Sequence, residues 1–181
     1  MTQSFTSASL PILVKALAFA SRKHSHQRRK DADESPYINH PISLISILVI
    51  EAQIHDPDVL CGALLHDTIE DTETTTEELT EIFGGAIATV VSEVTDDKSL
   101  PKQERKRRQI DHAPHLSPNA RLVKCADKIA NLRDVADNPP ADWPIDRRRD
   151  YFDLAKDVVD GMPDLPAQLR ALFDATYERR P

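Results

Sequence analysis

The apolar run Cys61-Gly62-Ala63-Leu64-Leu65 ends on His66-Asp67, and Glu70 and Asp71 follow within one further turn. On a continuous helix at about 100° per residue, positions 66, 67, 70 and 71 fall at roughly 0°, 100°, 40° and 140°, so four ionisable groups are expected on one face. Carboxylates crowded there repel one another, and near a helix C-terminus they also meet the negative end of the helix dipole, at about 0.3–1 kcal/mol each. Any fold that keeps this segment needs a cation against that face. A bound divalent metal reverses both penalties.

The remaining apolar residues recur at helical spacing. Leu13, Leu17 and Ala20 predict an amphipathic helix from Leu10 to Ser25 with His24 on the same stripe, followed by the basic loop Gln27-Arg28-Arg29-Lys30-Asp31. Ile42, Ile45, Val49 and Ala52 predict a buried helix from about Pro41 to Gln53, with His40 at its N-terminal edge. Asp56-Pro57 is a cap followed by an N1 proline, and it opens the helix that carries His66-Asp67. Thr74 with Glu77, or Thr75 with Glu78, makes a capping box for a short helix that Gly84-Gly85 ends. Ile87, Val90, Val91 and Val94 form the next stripe, and a basic helix is expected over Lys102 to Gln109.

Ser117-Pro118 opens a long helix whose core is Leu122, Val123, Ala126 and Ile129, and which sets Asp127, Asn131 and Asp134 on one polar stripe at i, i+4 and i+7. Asn138-Pro139-Pro140 breaks it. Two last helices follow, Ile145 to Asp160 and Leu165 to Tyr177, with Trp143 packing where the loop returns. The valines of the 87–94 stripe could suit a strand on propensity alone, but their 3-and-4 spacing favours a helix; internal repeats are absent, and with only four glycines there is no glycine-rich loop to cradle phosphates. The expectation is an all-α, single-domain bundle of roughly eight to ten helices over residues 1–181, a length that suits one core better than two.

A net charge of -7 argues against a nucleic-acid coat or an anionic membrane surface, where excess lysine and arginine supplies the affinity. No segment reaches a membrane span, and Met1-Thr2-Gln3-Ser4-Phe5 lacks a basic signal-peptide start, so a cytoplasmic protein is expected. Cys61 and Cys125 sit in apolar stretches without metal-site spacing and read as buried free thiols. The basic stretch from Lys102 to Arg108 reads as a solvated face from which one or two cations could reach a phosphate. In Arg147-Arg148-Arg149, Arg147 lies one turn before Tyr151 and is the better placed for a pocket. His55, His112 and His115 read as solvated, and His26 is given no role.

Imidazole nitrogen together with carboxylate oxygen suits manganese, iron, zinc or nickel better than magnesium or calcium. A histidine on an apolar stripe is ordinarily a hydrogen-bonded core residue, so spacing alone leaves both a metal centre and a satisfied core open.

Three further stretches carry a resemblance. Pro36-Tyr37-Ile38-Asn39-His40-Pro41, Leu64-Leu65-His66-Asp67-Thr68-Ile69-Glu70-Asp71-Thr72 and Ala126-Asp127-Lys128-Ile129-Ala130-Asn131-Leu132-Arg133 resemble the successive motifs of HD-domain phosphohydrolases, and more narrowly the RelA/SpoT hydrolase domain. With Phe19-Ala20 to His24, the basic loop, Phe83-Gly84 and Val94-Thr95-Asp96-Asp97-Lys98 in order, the likeness runs from about Leu10 to Leu172 and is nearest to the small stand-alone hydrolases of the metazoan SpoT homologue type. The resemblance implies an HD-type bundle in which His40, His66, Asp67 and Asp127 ligate one manganese ion and Glu70 and Asp71 hold and activate the attacking water. It implies that Arg29, Lys30 and Asn131 help bind a guanosine nucleotide, with Tyr37 and Tyr151 near the pocket, and that the 3′-pyrophosphate of ppGpp or pppGpp is removed.

Asp134 stands where long chains of this type often carry threonine, so contacts to ribose or base are expected to differ there. No synthetase domain fits in 181 residues. Two alternatives are an HD phosphatase for another nucleotide with a 2′- or 3′-phosphate, such as NADPH, and a module that binds alarmone without cleaving it. Retention of all four ligands together with Glu70 and Asp71 favours the enzyme. Oligomeric state is not legible.

Overall fold

Caps and breakers punctuate this chain, and the computed structural model, which describes residues 9–31 and 33–181, starts its helices at them. The helices are α1 (Leu10–Lys23), α2 (Asn39–Ile45), α3 (Pro57–Leu65), α4 (Thr68–Asp71), α5 (Thr76–Phe83), α6 (Gly85–Val94), α7 (Lys102–His112), α8 (Pro118–Asp137), α9 (Ile145–Asp160) and α10 (Ala167–Tyr177). Among the described residues no strand forms beyond an isolated bridge between Arg28 and Pro36, and no helix is long and apolar enough to cross a membrane. The expected all-α class holds. Met1 to Phe5 lie outside the described residues.

The caps act as their chemistry requires. The Asp56 carboxylate accepts from the Asp58 amide at 2.9 Å, the Thr75 hydroxyl from the Glu78 amide at 3.1 Å, and the Ser117 hydroxyl from the Ala120 amide at 3.3 Å. Of the two overlapping boxes, Thr75 is therefore the one in use. Gly84 reverses the chain between α5 and α6 at φ +89°, a region that a side chain disfavours.

The long helix α8 is the spine, packed against α2, α3, α6, α9 and α10. Leu44, Leu48, Leu60, Ile129, Leu132, Phe152, Leu169 and Phe173 fill the core around it. A second cluster joins α1, α3, α5 and α6 through Ala16, Phe19, Cys61, Leu64, Leu65, Leu79, Ile87 and Val91. Because α3 lies between the two clusters, every one of its residues except Asp58 is buried, and its sequence is apolar on all sides. Both cysteines are buried and free.

Two stripes differ from expectation. On α1 the core takes Ala16, Phe19 and Ala20, while Leu10, Val14 and Leu17 face outward. On α2 it takes Leu44 and then Ile47, Leu48 and Ala52, leaving Ile42 exposed. Each segment is apolar on two faces, so period alone does not choose between them. The second also leaves α-helical geometry after Ile45, widening into a π-helical stretch over Ser46–Glu51 in which the Ala52 amide reaches back to Ile47 O at 2.8 Å.

Candidate active site

The helix that leads to His66 stops one residue short of it. α3 ends at Leu65, Asp67 adopts φ −100° and ψ 0°, and α4 begins at Thr68. The continuous face expected over residues 66–71 is therefore divided by a turn, and side chains fill the interrupted hydrogen-bond ladder. The Thr68 hydroxyl donates to Leu65 O at 2.7 Å, and His66 Nδ1 lies 2.9 Å from Ala63 O. That second contact places the imidazole proton on Nδ1 and turns Nε2 inward. His66, Asp67 and Glu70 remain together along one cavity, while Asp71 turns into the next.

α2 and α8 bring the other two ligand candidates. His40 Nε2 lies 3.2 Å from Asp127 Oδ1, and His66 Nε2 lies 2.9 Å from Asp67 Oδ2 and 3.8 Å from Asp127 Oδ1. Ligand atoms of His40, His66 and Asp67 all fall within 4.8 Å of one another. Burial depresses His66, but the adjacent Asp67 carboxylate overrides it and lifts the imidazole to about 9. Burial is the main influence on His40 and holds it below the usual histidine range. Burial also opposes ionisation of Asp67 and Asp127, yet His66 and His40 respectively keep them well below the usual carboxylate range.

The fit to a cation rests on the residues themselves. His66 Nε2 approaches Asp67 closely but off-axis, and it is buried without a hydrogen-bond partner. The carboxylates of the buried Asp127 and the half-buried Asp67 beside it supply negative charge that a divalent cation would balance. Two imidazole nitrogens and two carboxylates suit a transition metal.

Neighbouring side chains hold the candidate ligands in place. The Tyr37 hydroxyl donates to Asp67 Oδ2, and the Asn131 amide donates to Asp127 Oδ1. Asn131 Oδ1 in turn accepts from Arg29 at 3.4 Å, and Arg29 pairs with Asp134 while lying over the Tyr37 ring. The polar stripe expected on α8 thus links the centre to the basic loop.

The two acids after the turn are supported differently. Glu70 Oε2 accepts the Asp96 amide at 3.0 Å, and burial pushes the Glu70 carboxyl above its usual range. Asp71 is gripped on both oxygens, by Gln27 Nε2 at 2.6 Å and by Lys98. The buried His24 contacts Gln27 Oε1 through Nδ1 at 2.6 Å and so fixes which end of that amide faces Asp71. Behind Glu70, the buried Lys128 donates to Gln109 at 2.8 Å, and Gln109 donates to Asp96. Roles for His24, Gln27, Asp96, Lys98, Gln109 and Lys128 were not readable from spacing, although all of them but Gln109 sit inside motifs that carry the resemblance.

Three connected spaces surround this chemistry. A cavity of about 170 Å³ holds the His and Asp cluster with Glu70, Asn131 and Tyr151. One of about 530 Å³ holds Arg29, Lys30, Asp71 and Asp134, and one of about 580 Å³ holds Lys30, Lys102, Lys106 and Arg147. Arg147 stacks on Trp143 and does not line the cluster's own cavity. Part of the basic α7 therefore faces a cavity rather than open solvent alone. His26, His55, His112 and His115 are exposed.

Comparison with known proteins agrees with this geometry. A model of the HD domain matches residues 16–152. The chain is 51% identical over 173 residues to guanosine-3′,5′-bis(diphosphate) 3′-pyrophosphohydrolase MESH1 of Danio rerio, covering 96% of each chain. It is 50% identical over 168 residues to the Homo sapiens protein of the same name, covering 93% of this chain and 94% of that one. A solved structure described as a metazoan ortholog of SpoT that hydrolyzes ppGpp superposes with a TM-score of 0.90 at 46% identity, covering 98% of both chains.

Proposed function

This chain belongs to the HD domain family, and from that premise we propose that it is a guanosine-3′,5′-bis(diphosphate) 3′-pyrophosphohydrolase, converting (p)ppGpp to GDP or GTP with release of pyrophosphate. The observation that carries this reading is a buried His and Asp centre opening directly into two larger cavities lined by Arg29, Lys30 and Arg147. A phosphoryl group at the centre then leaves its nucleoside in the 530 Å³ space, with cations near enough to meet a second diphosphate. The substrate is a small nucleotide rather than a polynucleotide, in keeping with a net charge of -7.

His40, His66, Asp67 and Asp127 hold one Mn²⁺ in this proposal. Bound there, such an ion would lower the pKa of a water and polarise a phosphoryl oxygen. Glu70 takes the water's proton, a role suited to a carboxyl whose burial raises its basicity. Asp71, clamped by Gln27 and Lys98, orients that water. Asn131 and Tyr37 keep Asp127 and Asp67 facing inward. Arg29, steadied by Asp134, acts with Lys30, Arg147 and Tyr151 to bind the nucleotide. In this proposal the described residues, 9–31 and 33–181, act as one hydrolase domain in the cytoplasm.

The test is incubation of the purified protein with ppGpp and Mn²⁺, with pyrophosphate and GDP quantified before and after chelation. Stoichiometric pyrophosphate and GDP, lost on chelation and restored by Mn²⁺, is the expected outcome. Orthophosphate appearing before pyrophosphate, or turnover only of nucleotides such as NADPH, overturns the alarmone reading and leaves the family assignment intact.

A further inference from the structure

Four residues line both the 170 Å³ cavity of the His and Asp centre and the neighbouring 530 Å³ cavity: Tyr37, Glu70, Asn131 and Tyr151. In the 3′-pyrophosphohydrolase reading, on which this inference rests, the bond that breaks lies across that boundary, because its phosphorus belongs to the centre and its ribose to the larger space. The electron pair of the P–O bond departs on the ribose 3′-oxygen. An alkoxide is a far stronger base than a phenolate or carboxylate, so the step needs a proton delivered there.

Three of the four residues have no acidic proton to give, since a carboxamide such as Asn131 keeps its N–H protons. The Tyr37 hydroxyl is given to Asp67. Asn131 is used at both ends, its amide nitrogen on Asp127 and its oxygen under Arg29. Glu70 accepts, taking the Asp96 amide. The Tyr151 hydroxyl is different: among the described residues it has no hydrogen-bond partner. Its ring is anchored against Trp143 at 5.4 Å and sits on α9, whose Phe152 and Ala155 are buried in the main core, so the hydroxyl is presented from a rigid element. Tyr151 also lines the third, basic cavity, which places it where all three spaces meet.

We propose that Tyr151 is a catalytic residue that donates its phenolic proton to the ribose 3′-oxygen as the ester bond breaks. The water oxygen bonds to phosphorus, and its proton passes to Glu70. The P–O electron pair moves to the 3′-oxygen, which takes the Tyr151 proton. Solvent then reprotonates the phenolate while Glu70 returns its proton to solvent, so one water is consumed and GDP and pyrophosphate leave.

Tyr151→Phe keeps the ring and its packing, and its helical circular dichroism should match the parent. With ppGpp and Mn²⁺ the expected result is a fall in kcat of about 10²–10³-fold with KM changed less than about threefold. A second measurement separates proton donation from positioning: the isotope effect with ¹⁸O at the ribose 3′ bridging oxygen should increase in the variant, because the leaving oxygen then carries its full charge in the transition state. A kcat within about threefold of the parent, a rise in KM alone, or a lowered kcat with an unchanged bridging isotope effect each overturns the proposal. If the parent releases no pyrophosphate from ppGpp, the functional reading itself has failed, and that outcome is visible before any variant is made.

Discussion

Gly62 on α3 lies directly against Val90 of α6, and replacing it tests whether that contact sets the position of His66 one turn later. A Cβ at Gly62 would lie 2.7 Å from Val90 Cγ1, 3.4 Å from Val90 Cβ and 3.6 Å from Val123 Cγ2. Carbon pairs prefer about 3.5–4.0 Å, so Val90 Cγ1 must retreat by about 0.8 Å or the helices must part. Overpacking of this kind costs about 1–3 kcal/mol, and the gain of alanine over glycine inside a helix offsets about 0.5–1 kcal/mol of it. Gly62→Ala should therefore destabilise by about 0.5–2 kcal/mol, a melting-temperature drop of about 1–8 °C at this chain length. Activity should suffer more than stability, because a shift approaching 1 Å in a reacting group can cost about 10²-fold in rate. The assay is a double-mutant cycle with Val90→Ala, which removes the clashing methyl, read by thermal melting and by kcat. Gly62→Ala should be relieved by at least about 1 kcal/mol in the Val90→Ala background; additivity within about 0.5 kcal/mol would refute the steric argument.

Asp127→Ala should lose bound metal and turnover together, because the proposed four-ligand centre has no spare carboxylate; near-normal metal content by elemental analysis would remove Asp127 from the proposed ligand set. Glu70→Gln should keep the metal and lose about 10²–10⁴-fold in kcat. Since burial raises the Glu70 carboxyl, activity that depends on its ionised form falls as pH drops through that raised value, and the acid limb should begin above the range of an exposed glutamate and vanish in Glu70→Gln. An acid limb unchanged in residual Glu70→Gln activity would assign it elsewhere. Arg29→Ala should raise KM with little change in kcat, by a factor that shrinks with added salt, and a collapsed kcat at constant KM would contradict a binding role.

Helix starts were legible because their signals are local. Asp56, Thr75 and Ser117 each cap the helix that their own sequence announces, and Gly84 ends one at a φ that suits it. The polar stripe of Asp127, Asn131 and Asp134 was legible for the same reason, since one helix holds all three. What escaped depends on partners distant in sequence. The core's choice of Phe19 over Leu17, and of Leu44 over Ile42, is made by the helices packed against those segments. The break at His66-Asp67 has no glycine or proline to mark it, because the ladder is interrupted by the Thr68 and His66 side chains. The grip of Gln27 on Asp71 spans 44 residues, and the path from Lys128 through Gln109 to Asp96 joins α8, α7 and the loop after α6.

The centre draws His40 and Asp127 together from positions 87 residues apart, with His66 and Asp67 between them in the chain. Apart from the adjacent pair His66-Asp67, these groups are not neighbours until α2, α3 and α8 have docked, so an unfolded chain offers a cation at most that pair. A metal that binds only the assembled centre adds RT ln(1 + [L]/Kd) to the folding free energy, about 2.7 kcal/mol at a concentration one hundred times Kd. Thermal unfolding should accordingly shift upward with free Mn²⁺ and downward with chelator, and Asp127→Ala should abolish that dependence. In the proposed centre the ion would then also be a folding ligand, and depleting it would shrink the pool of native enzyme as well as silencing the molecules that remain folded.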